Sequence, residues 1–367
     1  MHSKTSKKAN KNFWQALSKP FFMLAPMANV TDFAFRQIIT KYGKPDVMWT
    51  EFVSADGLVS RGKEKLLIDL KFSKDERPIV AQLFTGHPEV MLRSAQLVAE
   101  LGFDGLDINM GCPDRAVEKQ GGGAASIKSP KVAIEVIQSA RKGWSEGGGC
   151  DSNSVTVKTR IGYNKIDLDW IRLLLEQKLP ALTVHLRTRK EMSDVPAHWD
   201  LMPEIIKMRD EISPETLIIG NGDVESVNDG LIKIKESGCD GIMIGRGIFG
   251  KPWLFESVSR ARKRDGFSRL ERSETKGELL ALRERAEFDP DFKTSRERLK
   301  IMLEHTKLFE RTFCEKKHLK NFAVMKKHFK AYVSGWDGAK ELRVKLMKTE
   351  NFKQVKKVVD NYLAQVE

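Results

Sequence analysis

Cysteine is scarce in this chain: four in 367 residues, Cys112, Cys150, Cys239 and Cys314, far apart and with no CxxC pair. That excludes a disulfide framework and a zinc finger, leaves no expected metal site, and fits a reducing, cytoplasmic location. No run approaches the ~18 apolar residues that a membrane span needs. The basic N-terminus, MHSKTSKKANKNFW, lacks the apolar stretch of a secretory signal. No GxGxxG follows the first apolar run, which weakens a dinucleotide-binding open sheet, and no repeat of solenoid period is evident. What is present is enough apolar material for a core: 41% hydrophobic against 31% charged residues.

Charge is unevenly spread. Residues 1–255 hold 35 basic and 32 acidic side chains, whereas 256–367 hold 28 and 18, a local excess of +10. Within 311–360 the count is 14 against 5. A nearly neutral body with a basic end points to a polyanionic partner for that end.

Eight short runs rich in β-formers recur through the first 255 residues: 21–28, 47–55, 79–84, 105–110, 155–161, 181–187, 217–223 and 241–247. They are continuously apolar, as strands buried on both faces are. Segments of helical period lie between them, at 87–102, 129–143, 167–179 and 200–212, with Ser129 expected as an N-cap ahead of Pro130. Eight such units over this length predict an α/β fold, a (β/α)₈ TIM barrel. From Thr294 onward the apolar positions, Leu299, Met302, Leu303, Leu308 and Phe309, then Phe322, Val324, Met325, Phe329 and Val333, predict a C-terminal all-α helical domain. The expected organisation is a basic tail over 1–18, a barrel over 19–258, a charged linker or insertion over 259–293, and the helical domain over 294–367.

Barrel chemistry gathers at the C-terminal ends of the strands, and the polar residues of this chain gather there too. Gly-rich turns after strands seven (Asn221-Gly222-Asp223) and eight (Gly245-Arg246-Gly247) offer backbone donors and a guanidinium to a phosphate. Lys158 and His185 fall on neighbouring strands, and a near-buried lysine is costly unless paired or functional. With Gln82 and the phosphate turns they fit contacts to a planar, electron-accepting ring. Cys112 follows the fourth strand, and the Gly121-Gly122-Gly123 run after it is expected to let the loop open and close.

These residues sit inside longer blocks. LDINMGCP (106–113), APMANVTDFAFR (25–36), TEFVSADGL (50–58), QLFTG (82–86), VKTRIG (157–162), VHLRTR (184–189), NGDV (221–224) and IGRGIFGKPWLFE (244–256) together resemble the tRNA-dihydrouridine synthases, in order and across nearly the whole barrel. The resemblance implies FMN at the barrel mouth, NADPH as the reductant of the flavin, and hydride delivery to C6 of a tRNA uridine with a cysteine protonating C5. Cys112 matches that cysteine. Pro26, Met27, Gln82, Lys158, His185, Asn221, Gly222, Asp223, Gly245 and Arg246 match flavin contacts. Asn109, Arg160, Arg187 and Arg189 match positions around the uracil or the tRNA. The family's helical domain binds tRNA, which would use the basic excess; Lys326, Lys327, His328, Lys330, Lys340, Arg343, Lys345 and Lys348 are the candidates, and a monomer is the family habit. Two departures stand out. Leu186 replaces a usual glycine and is expected to narrow the floor beside His185, and His198 stands where many members carry an acid.

Two other readings are open to test. One is an FMN barrel acting on a free pyrimidine, like a dihydroorotate dehydrogenase, which should keep its rate without residues 290–367. The other is an RNA-binding protein whose barrel has lost catalysis, which would bind tRNA and no flavin.

Overall fold

A computed structural model describes residues 12–149, 154–259, 293–315 and 319–366. Most of the expected tail, the expected linker and Cys150 lie outside these residues. Eight strands run parallel: β1 Phe21–Leu24, β2 Met48–Ser54, β3 Ile79–Phe84, β4 Gly105–Met110, β5 Val155–Arg160, β6 Ala181–His185, β7 Leu217–Asn221 and β8 Gly241–Ile244. Each of the eight apolar runs read from sequence holds one of them. β1 pairs with β8, and the circle closes on β2 where the Asp46 amide donates to the Phe22 carbonyl at 2.9 Å and Leu24 to Val47 at 3.3 Å.

Helices wrap the barrel where the helical period lies, at Pro88–Glu100, Pro130–Glu146, Leu168–Glu176 and Met202–Ile212, joined by Phe33–Gly43 and Val227–Ser237. Side chains cap several of them: Asp32 accepts from the Phe35 amide at 3.0 Å, and Asp167 from Trp170 at 3.1 Å. Ser129 takes the N-cap position ahead of Pro130, as expected, and its carbonyl accepts from Ala133 at 3.0 Å, but its side chain makes no cap bond.

Period-two alternation decides what faces inward. On β5, Val155 and Val157 pack outward against the helices, and Thr159 accepts from the Trp170 indole at 2.8 Å. Thr156, Lys158 and Arg160 therefore point into the barrel. Register sets the inward residues beside one another: Gln82 with Asp107, Asp107 with Thr156, Asn109 with Lys158, Arg160 with His185, and His185 with Asn221. Trp14, Phe21, Met23, Trp49, Val80 and Ile219 fill the rest of the interior. Trp14 lies in the stretch expected as a basic tail. Residues Phe13–Ala16 form a 3₁₀ turn, and Trp14 is only 2% exposed, because an indole that can be buried against Trp49 is worth more out of water than in it.

The helical domain comprises Ser295–Phe309, Met325–Tyr332, Ala339–Leu346 and Phe352–Val366. Thr294 and Glu297 form a reciprocal capping box at its start. Its apolar core is continuous with Ala34 and Ile38 of the first barrel helix and with Trp253. Lys320 adds a buried polar contact, bridging to Glu51 at 2.5 Å and Asp69 at 2.9 Å. Among the described residues no helix is long and apolar enough to cross a membrane.

Candidate active site

The C-terminal ends of the strands surround a cavity of about 700 Å³. Its wall contains Pro26, Met27, Gln82, Asn109, Cys112, Lys158, Arg160, His185, Arg187, Asn221, Gly222, Asp223, Gly245 and Arg246, and with Phe52 of β2 it gathers residues from all eight strands or the turns after them. Phe52, Ser193, Met243, Glu225 and Lys251 line it as well and were not read from sequence. Phe52 and Met243 could have been found, since both fall on strands beside expected residues. Ser193, Glu225 and Lys251 sit in loops, where periodicity carries no information about direction.

Cys112 is half-buried, in a turn held by its neighbours. Asn109 Oδ1 accepts the amides of Gly111 at 3.1 Å and Cys112 at 2.9 Å, and the Cys112 carbonyl accepts from Ala124 at 2.9 Å. The glycine run is closely packed. Gly123 sits at φ +59°, and a Cβ there would stand 2.6 Å from the Cys112 carbonyl oxygen, while Gly121 and Gly122 pack against Gly86 and against Thr85 and Phe84. Burial pushes the Cys112 thiol above its ordinary value, outweighing the nearby Arg160 and Lys158, so it is protonated at neutral pH.

Lys158 donates to Asn221 Oδ1 at 3.0 Å, and Asn221 donates to the Met243 carbonyl at 2.8 Å. Burial first, then Arg160, lowers the ammonium to about 8. His185 is held well below its usual value by burial and by Lys158, so it is a neutral ring. Asp223 lies in the left-handed region at φ +47°, a conformation aspartate tolerates better than most residues, and there it pairs with both Arg187 and Arg246. Those pairs hold its carboxylate below the usual range against the opposing effect of burial.

The arginines are more committed than the sequence suggested. Arg160 donates to the carbonyls of Gly111 at 2.9 Å, Thr188 at 2.9 Å and Met192 at 3.0 Å. Arg187 donates to the Val195 carbonyl at 2.6 Å besides pairing with Asp223. Both line the cavity, yet both also anchor the 188–195 loop at its rim. Arg189 is not in the cavity wall: it pairs with Glu118 at 2.7 Å and lies over the Tyr163 ring. Leu186 is fully buried in the outer core, so it does not narrow the floor; in a strand the residue after inward His185 faces outward. His198 pairs with Glu191 at 2.9 Å.

The helical-domain candidates divide. Lys330, Lys340, Arg343 and Lys348 surround a groove with Val344 and Met347. Arg343 also donates to the Val333 carbonyl at 2.7 Å. Lys326 and Lys327 are half-buried, and the charges near Lys327 are Glu51, Asp32 and Lys320, at the contact with the barrel. His328 is a correction: it is fully buried against Phe35 and His305 and reaches no surface.

The family model described as Dihydrouridine synthase (Dus) matches residues 23–367. A probable tRNA-dihydrouridine synthase of Staphylococcus aureus (strain COL) is 38% identical over 359 residues, covering 97% of each chain. A probable tRNA-dihydrouridine synthase 2 of Bacillus subtilis (strain 168) is 38% identical over 354 residues, covering 96% of each. With a thiol, a recessed lysine and Gly-rich turns brought to one cavity at the mouth of a parallel barrel, and with matches that run nearly the length of the sequence, the chain belongs to the dihydrouridine synthase family.

Proposed function

We propose that the protein reduces a uridine of tRNA to 5,6-dihydrouridine, with FMN bound in the cavity and NADPH as reductant. One observation carries this reading: a single cavity wall joins Cys112 to Lys158, His185, Asn221 and the Gly245-Arg246 turn. The residues fit FMN. A Cβ built on Gly245 would meet Ala25 Cβ only at 3.6 Å and Met27 Sδ at 3.8 Å, so no protein contact demands glycine there. Its absent side chain leaves room in the wall for a phosphate beside Arg246. Lys158, Asn221 and Gln82 would hold the ring system, and neutral His185 would add a donor or acceptor without charge.

When bound, reduced FMN supplies the hydride to C6 of the uracil. Cys112 donates its proton to C5, and its raised pKa keeps the thiol available for that task. Asn109, Arg160 and Arg187 would orient the base at the same wall. The nucleotide must leave its stack to enter, and the basic helical surface supplies phosphate affinity.

The purified protein should carry a flavin absorbance. Cys112→Ala should retain flavin and lose about 10²- to 10⁴-fold in dihydrouridine formation. Mapping dihydrouridine in tRNA from cells with and without the gene identifies the target. Binding of tRNA without any uptake of supplied FMN would overturn this reading in favour of a non-catalytic RNA-binding protein.

A further inference from the structure

Under the cavity floor lies a carboxylate that the proposed reaction does not use. Asp107 on β4 is fully buried, and a donor occupies each of its oxygens: Gln82 Nε2 at 2.6 Å and Thr156 Oγ1 at 2.6 Å. An ionised carboxylate only accepts. It therefore fixes the Gln82 amide with nitrogen toward Asp107 and oxygen away from it. That oxygen accepts from Asn109 Nδ2 at 3.1 Å. Asn109 is fixed in turn, because with its nitrogen toward Gln82 its oxygen faces the turn, where it takes the Gly111 and Cys112 amides.

We propose that Asp107 is a positioning residue: as the acceptor-only end of a directed hydrogen-bond chain, it orients Gln82, Asn109 and the Gly111-Cys112 turn that carries the thiol. The inference rests on the uridine-reduction reading, since it ties a cofactor-side amide, a substrate-side amide and the proton donor to one buried group. Each link is otherwise a choice between two amide orientations of nearly equal shape. Were Gln82 reversed, its NH₂ would face the NH₂ of Asn109. Were Asn109 to reverse as well, its NH₂ would face two backbone N–H groups. One error of direction therefore reaches the turn at Cys112. The direction also accounts for keeping a carboxylate where burial is costly, beside Lys158 and the Trp49 indole in the barrel interior.

Two substitutions separate direction from charge. Asp107→Asn removes the charge but can still accept from Gln82 through Oδ1. Asp107→Leu fills similar space and accepts nothing. In cofactor-free protein, alkylation of Cys112 by iodoacetamide, read by peptide mass spectrometry, should be about threefold or more faster in the Leu variant as the turn loosens. It should stay near wild type in the Asn variant, with Cys239 and Cys314 as internal references. With FMN, NADPH and a tRNA transcript, dihydrouridine formation should fall about tenfold or more in the Leu variant and be largely restored in the Asn variant. Wild-type turnover is measured first: its absence would refute the reaction, while the alkylation contrast still judges the chain. Wild-type alkylation and turnover in Asp107→Leu would overturn the proposal. So would an Asn variant as impaired as the Leu variant, which would assign the effect to charge. If melting shows that Asp107→Leu does not fold, Gln82→Leu breaks the middle link, and unchanged Cys112 alkylation in that variant refutes the chain.

Discussion

Lys158, proposed to hold the cofactor, costs stability by its burial. Its ammonium is recessed in the barrel and lowered to about 8 from an ordinary 10.5. Between those two pH values the unfolded chain holds a proton that the folded one has lost. The contribution of Lys158 to cofactor-free stability should therefore be flat below about pH 8 and climb as pH rises toward 10, by at most about 3 kcal/mol. Urea unfolding across that window checks the sign, and Lys158→Met should abolish the climb while raising stability at pH 7. Flavin affinity should move the other way, weakening above pH 8 as the positive charge is lost. A difference between wild type and Lys158→Met that falls across the same window would mean that Lys158 is well paired and not merely buried, since buried thiols such as Cys239 lower the total there in both. Much of this wall was legible in the sequence, because strand alternation puts Lys158, Asn109 and Gln82 on the inward face once the strands are placed. The roles of the arginines were not. What Arg160 and Arg187 hold depends on where the 188–195 carbonyls fall, and loop backbone leaves no periodic trace.

At the scale of elements, the contact between the first barrel helix and the helical domain depends on uncharged histidines. Phe35 stacks on His305 at 4.9 Å and lies 4.8 Å from His328, both of which are fully buried. Burial lowers His328 to about 3, and His305 moves in the same direction. As pH falls through the ordinary histidine value of 6.5, the unfolded chain gains protons that the folded one refuses, so stability is lost progressively. His328 should cost about 2 kcal/mol between pH 6.5 and 5, His305 should add to the loss in the same direction, and His328→Phe should flatten that slope in urea titrations. Lys320 secures the same contact. Its removal leaves Glu51 and Asp69 facing each other without a cation, so Lys320→Met should cost about 3–5 kcal/mol of unfolding free energy. An unchanged urea midpoint would show the bridge to be dispensable. For the same reason, deleting 290–367 is a poor test of a free-pyrimidine enzyme, since it strips the apolar cover from Ala34, Ile38 and Trp253. The barrel and the helices were readable from continuously apolar runs and helical period. This seam was not: a buried histidine and a solvated one look alike in sequence, and His328 sits between lysines that favour the wrong reading.

Across the whole molecule the two ends differ in charge by design of the sequence, near neutrality in the barrel and +10 beyond residue 255. Lys330, Lys340 and Lys348 are exposed around Val344 and Met347, themselves 54% and 43% exposed, so cations there rim an apolar floor. That combination suits a polynucleotide: phosphates can be neutralised by the lysines while a ribose or base edge covers the apolar atoms. Each phosphate neutralised by a lysine releases counterions, and the logarithm of affinity falls with the logarithm of salt by about 0.7–0.9 per contact. Replacing all three lysines by alanine should therefore lower the magnitude of that slope by about two to three, and weaken tRNA binding most at low salt. The turnover rate at saturating tRNA should be little changed, because none of the three lines the cavity that holds Cys112. These exposed positions leave the seam with the barrel intact, which the deletion would not. If the triple variant keeps the full slope, the phosphates are held elsewhere and the barrel rim becomes the place to look. If instead it reduces a free pyrimidine as fast as wild type reduces tRNA, the helical domain has no part in substrate capture and the free-base enzyme is the correct reading.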